Sequence, residues 1–319
     1  MGQTIAITGG RGFIGRKVVA SHLALGDRVR VLARGATGPA WGRDVEIVSC
    51  DLTSSAPAQL ERFTTGADVL YHCAAEYRDP FRTSAVNVEG TRKLLAAAAG
   101  NIARWVQLSS LGVYGPRRSG VVREDTSPTP VGAYETSKLA ADKLVIDACK
   151  RTGMPWAMLR PGIVFGHGMP NDSLRAFLRV IGRGRFAFIG SPGAVLPYVH
   201  VDDVAAALVL CAKDNRAVGE IFNLSEDCKV EEFVFEAARL LGAAPPNLRL
   251  PELPVRVAAK ALSWIPGVPL TTARVDALTR RVSYPVDRIR ETLAFRFATG
   301  WRNGLREMVA ALPLDIRST

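Results

Sequence analysis

The chain has 319 residues, of which 48% are hydrophobic and 22% charged, and carries a formal net charge of +11. That length suffices for one large α/β unit or two lobes with ample core, and no apolar run approaches the ~18–20 residues that span a bilayer. Its five scattered cysteines form no CxxC pair and its histidines number four, which argues against a metal site or disulfide framework and for a reducing cytoplasm. The basic residues are dispersed, so the charge reads first as a solvated surface. A phosphorylated cofactor or an acidic membrane surface is the alternative, and no nucleic-acid-binding motif is present.

In chain order, an apolar run at residues 4–8 comes almost at once, leaving no room for a signal peptide. Further strands are expected at 28–33, 45–49, 68–73, 105–109 and 156–160, with helices between them at 13–25, 58–63, 84–99 and 133–150. Strands separated by helices predict right-handed βαβ units and a parallel sheet. Residues 161–197 break the pattern with Gly and Pro around a short helix at 173–181. A helix at 202–212 and a strand at 220–224 return to the sheet, and 231–319 reads as helices joined by proline-rich turns. Within it, Val255, Ala258, Leu262 and Ile265 fit a helical stripe, either an inward-packing face or an interfacial membrane segment.

Two motifs carry chemistry. Gly9, Gly12 and Gly15 follow the first strand and open the first helix, the context in which such a loop holds a dinucleotide pyrophosphate. Phe13 and Ile14 lie at that helix N-terminus, where unpaired N–H groups favour phosphate. A kinase-type phosphate loop is excluded because Arg16-Lys17-Val18 follows Gly15. Arg34 ends the second strand where an acidic residue would hold a ribose 2′-hydroxyl. A guanidinium suits a 2′-phosphate instead, which favours NADP with NAD as the alternative, and Arg11 can assist. Asp51 and Leu52, after the third strand, are placed to meet the adenine. The second motif is Tyr134 and Lys138, four residues apart on a predicted helix and so on one face. A fixed cation beside a phenol lowers its pKa from ~10, an arrangement suited to acid/base work at a carbon–oxygen bond.

With TGGRGFIG (8–15), HCAA (72–75), NVEGT (87–91), LSSLGVYG (108–115), YETSK (134–138), RPGIVFG (160–166) and YVHVDDVA (198–205) in this order, the chain resembles the extended short-chain dehydrogenase/reductases, also called the NAD-dependent epimerase/dehydratase family. The resemblance implies a Rossmann doubly wound parallel sheet with helices on both faces and a smaller, mostly helical C-terminal lobe for substrate. Residues 1–165 plus 195–225 would form the first, and 166–194 plus 226–319 the second. It implies Tyr134 as general acid/base, Lys138 as the residue that lowers its pKa and holds the nicotinamide ribose, and Ser110 as the hydroxyl that orients the substrate oxygen, with Ser109 structural. Ala74 and Ala75 would flank the cofactor at a strand end, and Pro161 and Gly162 would form the turn beneath the nicotinamide. Homodimers through two helices of the sheet are common among such proteins.

Substrate class turns on departures from the sugar-nucleotide pattern. Ile163 stands where those members carry a diphosphate-binding Asn, and Leu196-Pro197-Tyr198 replaces their Arg-Asp-Tyr. RPGIVFG instead resembles the branch with 3β-hydroxysteroid dehydrogenases and dihydroflavonol reductases. That favours a ketoreductase or hydroxy-dehydrogenase acting on a hydrophobic or lipid-like ketone/alcohol pair. A sugar-nucleotide epimerase or dehydratase is the alternative, and a non-catalytic NADP-binding regulator a third that the retained Tyr134 and Lys138 oppose. Phe165, Phe177, Phe186, Phe188 and Tyr198 would line an apolar pocket or form ordinary core, and His167 reads as a solvated loop residue.

Overall fold

A computed structural model describes residues 2–35, 41, 44–53, 57–262, 264 and 270–312. The chain runs β1 (Thr4–Thr8), α1 (Gly15–Ala24), β2 (Arg28–Ala33), β3 (Val45–Ser49), α2 (Pro57–Thr64) and β4 (Ala67–His72). A π-helical turn (Ser84–Glu89) leads into α3 (Gly90–Ala98), then β5 (Ile102–Leu108), a 3-10 turn (Leu111–Tyr114), β6 (Ser119–Val121), α4 (Ala133–Thr152) and β7 (Trp156–Pro161). There follow β8 (Ile163–Phe165), α5 (Ser173–Gly182), β9 (Phe188–Ile189), β10 (Val195–His200), α6 (Val201–Lys213), β11 (Ile221–Leu224), β12 (Glu226–Lys229) and α7 (Val230–Leu241). The last elements are β13 (Arg249–Leu250), α8 (Glu252–Ala261), α9 (Thr272–Thr279), β14 (Arg281–Ser283), α10 (Asp287–Leu293) and α11 (Gly300–Ala310).

Seven strands pair in parallel in the order β11-β7-β5-β4-β1-β2-β3, the doubly wound arrangement whose order reverses beside β1. Alternation along each strand feeds two helical layers. Ile5 and Ile7 pack with Val18 and Val19 of α1, Leu208 of α6 and Ile289 of α10. Ala6, between them, faces the opposite layer with Phe63 of α2, Leu94 of α3 and Val145 of α4. The reversal leaves a crevice at the C-terminal strand ends, where Thr8, Ala33 and His72 lie.

A separate apolar core joins α5, α7 and α11 to β9, β10 and β12. Phe165, Phe186, Phe188 and Tyr198 are buried there with Phe177 partly buried, so these five are core and none lines the cleft described below. Three small pairings exceed the sequence expectation. They are a sheet ordered β12-β10-β8, and the pairs β13 with β9 and β14 with β6, which place short strands in a stretch expected to be helix and turn. Segment 84–99 is likewise divided, π-helical before it becomes α-helical. Val255 packs inward with Ala259 and Val275; Ile265 lies outside the described residues.

Candidate active site

The glycine loop is held by contacts that leave no space for side chains. Gly9 has φ +66°, and a Cβ there would come within 2.7 Å of Ala74 N. A Cβ on Gly15 would fall 2.2 Å from Gly9 O, while one on Gly12 would meet the same oxygen at 3.0 Å. Gly9 thus makes the turn and Gly15 lets the helix start abut it. Thr8 Oγ1 accepts from Ala74 N–H (3.1 Å) and bonds His72 Nδ1 (2.7 Å), joining the ends of β1 and β4. Burial and the Lys138 charge pull His72 down to about 3, so it is neutral and serves as a strut. Above the loop, Arg11 Nε and Nη2 are buried with no hydrogen-bond partner. A cradle of backbone at a helix N-terminus with an unsatisfied guanidinium fits a bound phosphate group.

Every residue expected to act in catalysis or to hold the cofactor lines one cleft of about 800 Å³. Gly9, Gly12, Phe13 and Ile14 form one wall; Arg34, Asp51 and Leu52 close one end; Ala74, Ala75, Pro161 and Gly162 continue it toward Ser110, Tyr134 and Lys138. Asp51 Oδ1 accepts from Thr53 N–H and Oγ1–H, both at 2.8 Å. The Thr53 backbone bond, with the nearby Arg34 and Arg82 charges, holds its carboxyl below the usual range. Gly162 donates to Leu224 O (2.9 Å), and a Cβ there would stand 2.2 Å from Pro197 O.

Helix α4 presents Tyr134 in its first turn and Lys138 one turn later. Gly132 caps it in extended conformation. Lys138 is buried and donates from Nζ to Leu108 O at 2.5 Å. The phenol of Tyr134 is pushed up to about 12, chiefly by burial, with Glu135, Asp142 and Tyr77 adding. This corrects the expectation of a lowered phenol: sharing a face does not suffice when the ammonium is turned to a carbonyl and the ring is desolvated. Ser110 caps the 3-10 turn, its Oγ accepting from Gly112 N–H at 3.0 Å, which leaves its own O–H to donate. Ser109 instead donates to Asp142 Oδ2 (2.7 Å), which also accepts from Arg160 Nη2 (3.1 Å). Arg160 Nη1 donates to Tyr114 Oη (3.0 Å), and Tyr114 donates to Asn223 Oδ1 (2.9 Å). This buried chain fixes α4 against β5, β7 and β11.

The loop after β4 contributes residues the sequence reading missed. Tyr77, Arg78 and Arg82 line the cleft, and the half-exposed Tyr77 ring stands edge-on to Tyr134 with centroids 6.5 Å apart. Asn87, in the π-helical turn, steadies this loop. It exchanges hydrogen bonds with Glu76 (2.7 and 2.9 Å) and donates to Ser137 Oγ at 2.8 Å. The available signal was an aromatic and two arginines just past a strand end at the switch point. Among the described residues no cluster suited to a metal ion occurs. His167 is exposed.

The sequence profile of the NAD dependent epimerase/dehydratase family matches residues 5–225. The chain belongs to that family. Among curated relatives, it is 29% identical to ceramide reductase from Caulobacter vibrioides over 88% of this chain and 80% of that one. It is 26% identical to 3-beta-hydroxysteroid dehydrogenase from Mycolicibacterium neoaurum over 82% and 76%. A solved structure of UDP-glucuronic acid 4-epimerase from Bacillus cereus in complex with NAD superposes with a TM-score of 0.74, covering 96% of this chain and 97% of that one at 19% identity. At that identity the likeness speaks for the fold alone. This member of the family keeps the Tyr134/Lys138 pair and the glycine loop in one cleft.

Proposed function

We propose that the protein is an NAD(P)-dependent oxidoreductase that moves hydride between nicotinamide and a hydrophobic or lipid-like ketone/secondary alcohol pair. The observation that carries this reading is the convergence of Ser110, Tyr134 and Lys138 with the glycine loop in one cleft. The nicotinamide, when bound, supplies or accepts the hydride. The Ser110 and Tyr134 hydroxyls then share the substrate oxygen. Both donate to it as it gains negative charge, and Tyr134 gives up its proton. In the reverse direction Tyr134 accepts the alcohol proton. Lys138 would reach the nicotinamide ribose by leaving Leu108 O, bringing its charge to the site. Arg11 and Arg34 both line the cleft, and NADP is the favoured cofactor because an acidic partner for a 2′-hydroxyl is missing at Arg34.

An apolar substrate is supported by Ile163, which stands where sugar-nucleotide members carry a diphosphate-binding Asn, and by the Tyr77 ring set edge-on to Tyr134. Transferring a diphosphate to a site without polar partners would be costly. Arg78 and Arg82 in the same cleft favour a second reading, a sugar-nucleotide epimerase or dehydratase. The discriminating experiment is a turnover screen with NADPH and NADH on sterol and long-chain 3-keto lipid ketones, run beside thermal unfolding with UDP- and dTDP-sugars. Turnover of an apolar ketone, faster with NADPH, is expected. Stabilisation by a nucleotide sugar without ketone turnover would replace this reading with the second.

A further inference from the structure

Helix α8 is apolar on two sides. Val255 and Ala259 face inward against Ile189 and Val275. Leu253 and Val257, one turn apart and so on one face, are 72% and 60% exposed, and Trp264, just past the helix, is 79% exposed. Leu248 and Leu250, leading into α8, are 56% and 37% exposed. Large apolar side chains gathered in one segment and left in water mark a contact surface. The surrounding charge is one-sided. Residues 248–283 hold six basic side chains and two acidic ones; ion pairs join Glu252 to Arg256 and Arg118, Asp276 to Arg256, and Arg249 to Glu231 outside this stretch. Lys260 is exposed on α8 itself.

We propose that the outer face of α8, Leu253 and Val257 with Trp264, docks the protein on the surface of an anionic phospholipid bilayer. An apolar stripe set among cations fits the boundary between acyl chains and acidic headgroups. A second copy of the chain fits worse, because it would set the same excess of cations against this one. Among the described residues no helix is long and apolar enough to cross a membrane, so the contact is peripheral. The Glu252–Arg118 ion pair joins the start of α8 to the segment that follows the Ser110-capped turn. The inference goes beyond the reductase reading and needs no turnover to test.

The test is flotation and tryptophan fluorescence with vesicles of phosphatidylcholine and phosphatidylglycerol in equal parts, against phosphatidylcholine alone. Trp105, Trp156 and Trp301 are buried and Trp41 is partly buried, so the part of a blue shift that is lost in Trp264→Phe reports this face. Binding to the anionic vesicles with that shift is expected, weakened by about tenfold or more in Leu253→Asp/Val257→Asp. Because both side chains are exposed, the double variant should melt as the parent does. Failure to bind, equal binding to neutral vesicles, or binding untouched by the double variant each overturns the proposal. So does concentration-dependent dimerisation that the double variant abolishes, which would assign the face to a second copy.

Discussion

Tyr134 is where burial and chemistry oppose each other. An exposed phenol titrates near ~10, and burial pushes this one up to about 12. At neutral pH it therefore holds its proton, as the acid of the proposed ketone reduction must. Its service as a base depends on positive charge arriving nearby, from a reoriented Lys138 and an oxidised nicotinamide. The sign for stability follows the same shift. The folded value lies above the unfolded one, so this group's contribution is intact below pH ~10 and is lost as pH climbs through the folded value. A spectroscopic pH titration of the cofactor-free protein, taken as the difference from Tyr134→Phe, should show no phenolate from this residue below pH ~10. Ionisation near neutrality would mean that Lys138 already acts on the phenol without cofactor.

At the scale of elements, the strand–loop–helix unit of β1 and α1 depends on backbone proximity. A Cβ on Gly15 would stand 2.2 Å from Gly9 O, whereas Gly12 faces the cleft with its nearest contact at 3.0 Å. Gly15→Ala should lower unfolding stability by about 1–3 kcal/mol through overpacking. Gly12→Ala should cost under about 1 kcal/mol while weakening dinucleotide binding about tenfold or more. Chemical denaturation and cofactor titration of the two variants check this, and equal stability losses would contradict it. Such units were legible in the sequence because Ile5, Ala6 and Ile7 are apolar on both faces and the glycines sit between two clear periodicities. Strands β8, β10 and β12 were not. Gly162 and Pro197 punctuate them, Glu226 and Asp227 make β12 polar, and their pairing joins segments far apart in the chain. Leu253 and Val257 escaped notice because the inward stripe of Val255 already accounted for an amphipathic α8. The phenol's raised pKa was hidden for another reason: spacing gives the neighbour in sequence, whereas burial in the folded chain, with Glu135, Asp142 and Tyr77 adding, sets the shift.

Across the whole molecule, one crevice at the switch point gathers residues from both halves of the sheet. The glycine loop and Arg34 come from the β1–β2 side, and Ser110, Tyr134, Lys138 and Pro161 from the β5–β7 side. The buried chain from Ser109 through Asp142 and Arg160 to Tyr114 and Asn223 ties that second side together. In the proposed reaction Tyr134 moves the proton in this crevice while bound nicotinamide moves hydride. The most direct test measures NADPH affinity and ketone turnover together in Tyr134→Phe. Affinity within about threefold of the parent and turnover lower by about 10²–10⁴-fold are expected. Turnover near that of the parent, or a loss of NADPH binding as large as the loss of turnover, would contradict it.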